Sequence, residues 1–563
     1  MVNGALYSCR LALVSKRIVS MSDQHLLDSI ARLTETGLAL SREKDIKKLL
    51  DMILSSAKSL TNADGGTLYL KSEDGQKLDF AIVRNDKLNI NLGGLSGNAI
   101  QFASVPIYQE NGQPNLHNVS AAAAHQGQTI NIPDAYSCDN FDFSGTRRFD
   151  ANTGYRSQSF LTVPMKNHEG DLIGVIQLIN ALDTQNEVRV FTIVEQSLVE
   201  SLTSMAATAL TQRQLIDAQR NLFDSVVKLI ANAIDAKSPY TSGHCQRVPV
   251  VAKMLAEAVN ADTRPIWVKA AFSDDELYEL NVAAWLHDCG KLATPDYIMD
   301  KRTKLDGLND RISEVDARLA ALFQGIRADK WEQVARNLAA EANQSLDDVD
   351  AFLITEQQQV QALSAFLHLA NQGDEFMAES MQQKVKDAAV IPWLSLAGAS
   401  PLLSSEEVEL LNIARGTLSS QERKIINDHI VVTIDMLKTL PYPKNLKNVV
   451  EIAGGHHERV DGKGYPYGLT IQQLSLRARI MAIADVFEAL TASDRPYKQP
   501  KTLSETLKIM GFMAKEGHID SDLFNVFVHH KVYLDYAVTY LSKVQIDEVD
   551  EHKIVGYNLS VAA

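Results

Sequence analysis

Two adjacent histidines, His456-His457, are followed within eight residues by Gly464-Tyr465-Pro466, and an earlier His287-Asp288 supplies the further ligands that such a pair needs to hold a metal. A fold that serves this chemistry must bring segments far apart in sequence to one place. The chain has 563 residues, more than one hydrophobic core usually covers, so two or more domains are expected. Fifty-five Lys+Arg against 70 Asp+Glu give a net charge of -15, which excludes a global field for nucleic acid or an anionic membrane. A phosphate-bearing ligand would need a local basic pocket.

Four cysteines, Cys9, Cys138, Cys245 and Cys289, are widely spaced and form no paired framework, which points to a reducing, cytoplasmic setting. No apolar run approaches the ~20 residues of a membrane span, and the first twenty residues are broken by Arg10, Lys16 and Arg17, unlike a signal peptide. Met21-Ser22-Asp23 reads as a start with a helix N-cap, so residues 1–20 are expected to be an upstream extension of the reading frame, within a leader drawn over 1–27.

From about Thr61 short strands alternate with turns. Gly66–Leu70 and Leu78–Val83 flank Glu73-Asp74-Gly75, and Phe160–Met165 and Leu172–Asn180 flank His168-Glu169-Gly170-Asp171, predicting two hairpins. Helices predicted over Asp45–Leu60 and Val190–Leu210 make an antiparallel sheet with packed helices, an α+β domain, the economical solution. The segment Thr146–Ser157 and the strand Gly174–Leu178 resemble GAF domains of signalling enzymes, a resemblance covering roughly residues 30–212 and drawn as a domain over 28–212. It implies a sensor with an unidentified small ligand under the sheet. Phe149 and Asp150 are adjacent with no following Glu, which departs from the cyclic-nucleotide-binding pattern. Cys138 is read as an ordinary cysteine and no chromophore is expected.

Leu215, Leu222 and Leu229 recur every seven residues, with Val226 and Ala233 on the same stripe, giving a linker helix over 213–235. Such a helix either packs on its own domain or forms a parallel homodimer seam.

Ser273–Leu286 is a helical stretch that delivers His287-Asp288-Cys289-Gly290-Lys291. Adjacent helical residues point ~100° apart, so both ligands reach one cavity only near a helix end, where Gly290 would permit a bend. Around this pair lie His244 in Tyr240–Val248, His429 in Asn427–Thr433, Gly455–Pro466, and Asp485 in Ala478–Thr491. In order these segments resemble the HD-GYP subfamily of HD-domain phosphohydrolases over about 220–545, an all-α helical domain, followed by a tail at 546–563. The resemblance implies one metal on His244, His287, Asp288 and Asp485 and a second on Asp288, His429, His456 and His457, with Asp288 as bridge. Imidazoles and carboxylates suit two divalent ions, iron or else manganese, rather than thiolate-bound zinc. Lys291, with Arg495 and Lys498 of Asp494–Lys498, would contact phosphate.

Some family members use a Glu four residues before the first His for a third metal; Tyr240 stands there, so two metals are expected, and Asp235 is a candidate supporting residue behind them. His287 and His429 stand 142 positions apart. Leu305 to about Glu406, with the stripe Ile312, Val315, Leu319 and Leu322, reads as an inserted helical hairpin or small bundle, a scaffold or else a lid or partner surface. The Gly464-Tyr465-Pro466 loop is a second candidate surface for protein partners. His25, His117, His125, His168, His368, His529, His530 and His552 lack any such context, and His518 is expected to serve helix entry. The resemblance implies hydrolysis of cyclic di-GMP to the linear dinucleotide or GMP under GAF control. The alternatives are 3′,3′-cyclic GMP-AMP as substrate, a di-iron oxygenase, or an inactive dinucleotide receptor.

Overall fold

The computed structural model describes residues 21–237, 243–339, 345–373, 376–493 and 500–558. The chain divides into two compact units, the first ending at Leu222 and the second beginning at Phe223.

The first unit opens with α1 (Met21–Arg42) and α2 (Ile46–Thr61). Asp45 caps α2 by accepting from the Lys47 and Lys48 amides, and Asn62 ends it in the left-handed region. Its Leu49, Leu50, Ile53, Leu54 and Ala57 recur every three or four residues and are buried. Next come β1 (Ala63–Lys71), β2 (Lys77–Asn85), β3 (Ile90–Gly93), β4 (Val105–Pro106), α3 (Val119–Gln126), β5 (Ile130–Ile132), α4 (Ser144–Thr153), β6 (Phe160–Lys166), β7 (Leu172–Leu182) and β8 (Val188–Arg189). The sheet is antiparallel in the order β3-β2-β1-β7-β6-β5, with β4 on β2 and β8 on β7. The two hairpins expected from turn chemistry are β1–β2 and β6–β7. One face packs Leu68, Ile82, Leu161, Met165, Ile176 and Leu178 against α2. Smaller clusters around Tyr69 and Phe160 include Ala124 and Val119 of α3. Asp150 is buried and accepts from the Ser157 amide, the Ser157 hydroxyl and the Tyr136 hydroxyl, each at 2.8 Å, so it ties α4 to the segment that follows.

Two helices were expected between 190 and 235, but a single one forms: α5 (Ile193–Lys237), 45 residues with no Gly or Pro to break it. Val199, Leu202, Ala206 and Leu210 join the core of the first unit, and Val227, Ala231 and Ile234 that of the second. Leu215, Leu222, Val226 and Leu229 are 61, 67, 45 and 66% exposed.

The second unit is helical: α6 (His244–Ala261), α7 (Asp274–Leu286), α8 (Ile312–Ala339), α9 (Leu346–Asn371), α10 (Glu379–Ala389), the short hairpin β9 (Pro392–Ser395) and β10 (Gly398–Pro401), then α11 (Ser405–Leu411), α12 (Ser420–Asn427), α13 (His429–Lys438), α14 (Val449–Gly454), α15 (Leu476–Thr491), α16 (Leu503–Lys515), α17 (Ser521–His529) and α18 (Val532–Tyr540). Its main core draws on α6, α7, α14 to α18 and the end of α5. The segment from Leu305 has a core of its own, in which Ile312, Val315, Leu319 and Leu367 pack with Leu402, Leu410 and Leu411. This core continues past Glu406, and the segment is not purely helical: β9–β10 closes on Trp393 Nε1 donating to the Pro401 carbonyl. Four-residue strands are too short to leave an alternation in the sequence.

Candidate metal centre

Each candidate ligand is carried by a helix terminus or a helix held in the core. Ser273 and Glu276 form a capping box that starts α7, and Leu280, Ala283, Ala284 and Leu286 bury its face. The helix therefore ends with His287 inside the protein, fully buried, its Nδ1 donating to the Ala284 carbonyl at 2.7 Å. The chain then tightens into a 3₁₀ turn over Cys289–Ala293. Gly290 was expected to permit a bend, but the change of winding precedes it. Its requirement is space: a Cβ there would lie 2.0 Å from the His429 carbonyl and 2.6 Å from the Thr433 amide. The same contact lets the Gly290 amide donate to Thr433 Oγ1 at 2.8 Å.

His244 and His429 stand at the first positions of α6 and α13. Asp235 Oδ2 accepts from the Gly243 amide at 3.0 Å, fixing the start of α6, and so supports His244 through the backbone. His456 follows α14 and donates Nδ1 to the Ala453 carbonyl at 2.6 Å, and His429 Nδ1 donates likewise to Ile426. Asp485 projects from α15.

These residues meet around Asp288. Its Oδ2 lies 3.2 Å from His287 Nε2 and 3.5 Å from His244 Nε2, and its Oδ1 lies 3.3 Å from His429 Nε2 and 4.0 Å from His456 Nε2. Asp485 Oδ1 is 3.2 Å from His244 Nε2. Ligand atoms of His244, His287 and Asp485 cluster within 4.8 Å of one another, as do those of His429, His456 and His457, and those of His287, Asp288 and His456. Asp288 Oδ1, His429 Nε2 and His456 Nε2 are buried without a hydrogen-bond partner among the described residues. Such groups are costly unless something else satisfies them. The donor set fits bound metal.

For His456, His457, Asp288 and Asp485 the electrostatics agree. Burial, with the neighbouring His457 and His287, drives His456 far below the usual imidazole range, and burial takes His457 down to about 4, so both are neutral. Burial works against ionising Asp288 and Asp485, but Lys291 and His287 hold Asp288 well below the usual carboxylate range, and the His244 hydrogen bond does so for Asp485. Neutral imidazoles and ionised carboxylates are the forms that bind metal. Cys245 and Cys289 are buried, which pushes the Cys289 thiol up to about 11 and Cys245 higher, and both stay protonated.

Lys291 Nζ donates to Asp288 Oδ2 at 2.6 Å. Tyr465 stacks on His457 with ring centroids 4.8 Å apart, and its amide donates to the His457 carbonyl. Tyr240, Arg495 and Lys498 lie outside the described residues.

Two buried carboxylates escaped the sequence reading. Glu488 accepts from His244 Nδ1 and from Arg247 Nε, so it fixes which nitrogen of His244 faces Asp485; its position one helical turn after Asp485 was the available signal. Burial opposes a charge on His244, but the Glu488 charge and hydrogen bonds to Asp288, Asp485 and Glu488 raise it well above the usual imidazole range, so in the metal-free protein His244 carries a proton that a bound cation would have to displace. Glu458 receives the Tyr467 and Leu469 amides at 2.7 and 2.9 Å and folds the Gly464-Tyr465-Pro466 loop back on itself. His518 does not serve helix entry: Asp520 caps α17, while the His518 carbonyl receives the Val460 amide. His368 pairs with Asp316 and His530 with Asp262, away from the cluster.

The first unit is thus an antiparallel sheet with flanking helices, and the second is a helical unit built around a histidine–aspartate cluster. Residues 45–210 match the GAF domain family and residues 394–523 match the HD domain family, so the chain carries both domains. The HD match begins at residue 394, within the inserted segment, and the fold supplies His244, His287 and Asp288 to the same cluster from before that match. Among curated proteins, a 3′3′-cGAMP-specific phosphodiesterase 1 of Vibrio cholerae is 42% identical over 20% of this chain and 26% of its own length. The cyclic di-GMP phosphodiesterase PA4108 of Pseudomonas aeruginosa is 46% identical over 14% and 19%. The 3′3′-cGAMP-specific phosphodiesterase 3 of Vibrio cholerae is 26% identical over 56% of this chain and 44% of its own length. The chain thus spans less than half the length of each of these three relatives. No helix among the described residues is long and apolar enough to cross a membrane.

Proposed function

We propose that the protein is a metal-dependent phosphodiesterase of the HD-GYP type that hydrolyses a cyclic dinucleotide, with the GAF domain as its regulatory input. The observation that carries this reading is Asp288, whose two oxygens face two different imidazole sets while Oδ1, His429 Nε2 and His456 Nε2 are buried without hydrogen-bond partners. In this reading His244, His287, Asp288 and Asp485 hold one cation and Asp288, His429, His456 and His457 the other, iron or manganese. Two such ions, when bound, lower the pKa of a water and neutralise charge on a phosphodiester.

The chain's own residues provide the rest. Asp288 sets the spacing of the two sets. Lys291, on the turn after the ligand pair, shifts from Asp288 to a phosphate oxygen and offsets the charge that builds there. Tyr465 forms a wall over His457 and keeps water from that side. Arg495 and Lys498 are the candidates for the second phosphate.

Cyclic di-GMP is the first candidate substrate. The relative matched over most of this chain is named for 3′3′-cGAMP, which supports cyclic GMP-AMP as the second. Incubating the full chain, loaded with manganese or ferrous iron, with each dinucleotide and separating the products by chromatography tests both. Turnover of neither would overturn the proposal. The exposed stripe Leu215, Leu222, Val226 and Leu229 supports a parallel homodimer, and sedimentation as a monomer at micromolar concentration would contradict it.

A further inference from the structure

Lys237 is the last residue of α5, and its ammonium is used completely. Nζ donates to the Thr294 carbonyl at 2.6 Å, the Leu292 carbonyl at 2.7 Å and the Lys291 carbonyl at 3.2 Å, and it lies 3.4 Å from Asp296 Oδ1. These carbonyls close the 3₁₀ turn Cys289–Ala293, at its C-terminal end, where backbone acceptors lack partners and a cation is favoured. At the two ends of the turn the Lys291 amide donates to the Asp288 carbonyl at 2.9 Å and the Thr294 amide to the Lys291 carbonyl at 3.1 Å. Asp288 stands at its start and Lys291 within it. The end of α5 is fixed by Ile234 and Ala231 in the core and by Asp224, which receives the Tyr278 hydroxyl at 2.7 Å.

We infer that Lys237 is a positioning residue, which clamps the turn that presents Lys291 and so sets the reach of the Lys291 ammonium. The inference rests on the functional reading above for what Lys291 does, but the clamp is independent of it. Lys237 touches none of the ligands. It acts through three carbonyls.

The test uses the full chain with Lys237→Met and Lys237→Arg. Amide hydrogen exchange in Lys237→Met should rise about tenfold at Lys291 and Thr294, the effect of removing charge-assisted bonds, with α6 and α7 unchanged. Metal content should equal that of the parent chain. Hydrolysis of cyclic di-GMP, and of bis(p-nitrophenyl) phosphate as a generic diester, should show kcat down about tenfold with KM within about twofold, as for loss of transition-state stabilisation. Lys237→Arg, which can still donate to carbonyls, should restore most of both readouts. Unchanged exchange at Lys291 and Thr294 would overturn the inference, as would a loss of bound metal parallel to the loss of activity. A parent chain that hydrolyses neither cyclic di-GMP nor cyclic GMP-AMP would defeat the functional reading, and the exchange rates would then decide the clamp alone.

Discussion

The two imidazole sets that flank Asp288 are held in different ways. His429 and His456 each turn Nδ1 toward a carbonyl of the preceding helical turn, a neutral acceptor. In the other set His287 does the same, but His244 gives Nδ1 to the Glu488 carboxylate, and Asp485 stands beside it. One set thus has two carboxylates besides the shared Asp288, and the other has three imidazoles and no carboxylate of its own. A divalent ion should be held more tightly by the first, because charge near a cation strengthens binding steeply in a buried site. Identical-looking halves of a cluster therefore differ through the residues behind them.

Removing the shared residue tests whether there are two halves at all. Asp288→Ala should empty both and lower hydrolysis at least ~1,000-fold, since both ions and the charge stabilisation they provide are lost together. Metal analysis that still finds two ions per chain would remove Asp288 from the bridge. Glu488→Gln keeps a hydrogen-bond acceptor but loses the charge, and should weaken the first set about 10–100-fold, read as a shifted first phase in a manganese titration of the metal-free chain. Equal weakening of both phases would erase the contrast. Lys291→Ala should leave two ions in place and lower kcat about 10–100-fold, and an unchanged kcat would take Lys291 out of the reaction. The smallest effect belongs to Thr433→Val, which removes the acceptor of the Gly290 amide where the two halves meet. It should cost about 1–2 kcal/mol, a fall of a few degrees in the melting of the HD unit, with metal content unchanged.

How far such features could be read from sequence depends on how local their causes are. The β1–β2 and β6–β7 hairpins were legible because Glu73-Asp74-Gly75 and His168–Asp171 specify their own turns. The His, Asp and Gly-Tyr-Pro segments were legible as ordered motifs. The reason for Gly290 was not, because the atoms that exclude a Cβ belong to His429 and Thr433, more than a hundred positions on. Glu488 was in view but without its partner, since His244 lies 244 positions away. Lys237 reads as an ordinary helix terminus until the carbonyls of residues 291–294 are seen around it. The continuity of α5 was available in the absence of Gly and Pro, and was hidden by the change of pattern from core spacing to heptads.

The inserted segment bears on the cost of building such a site. Lys301 and Glu422, 121 positions apart, join Nζ to Oε1 at 2.7 Å, and Thr417 Oγ1 donates to the Lys301 carbonyl. Between these clasps the chain buries its own apolar residues from Leu305 to Leu411. Loop-closure entropy grows only with the logarithm of length, about 0.6 kcal/mol per doubling. The excursion between His287 and His429 therefore adds little to the cost of bringing them together, and a segment with its own core can melt apart from the cluster. Calorimetry should resolve it as a separate transition, and a chain with the segment replaced by a short loop between the clasps should keep its ligands in register.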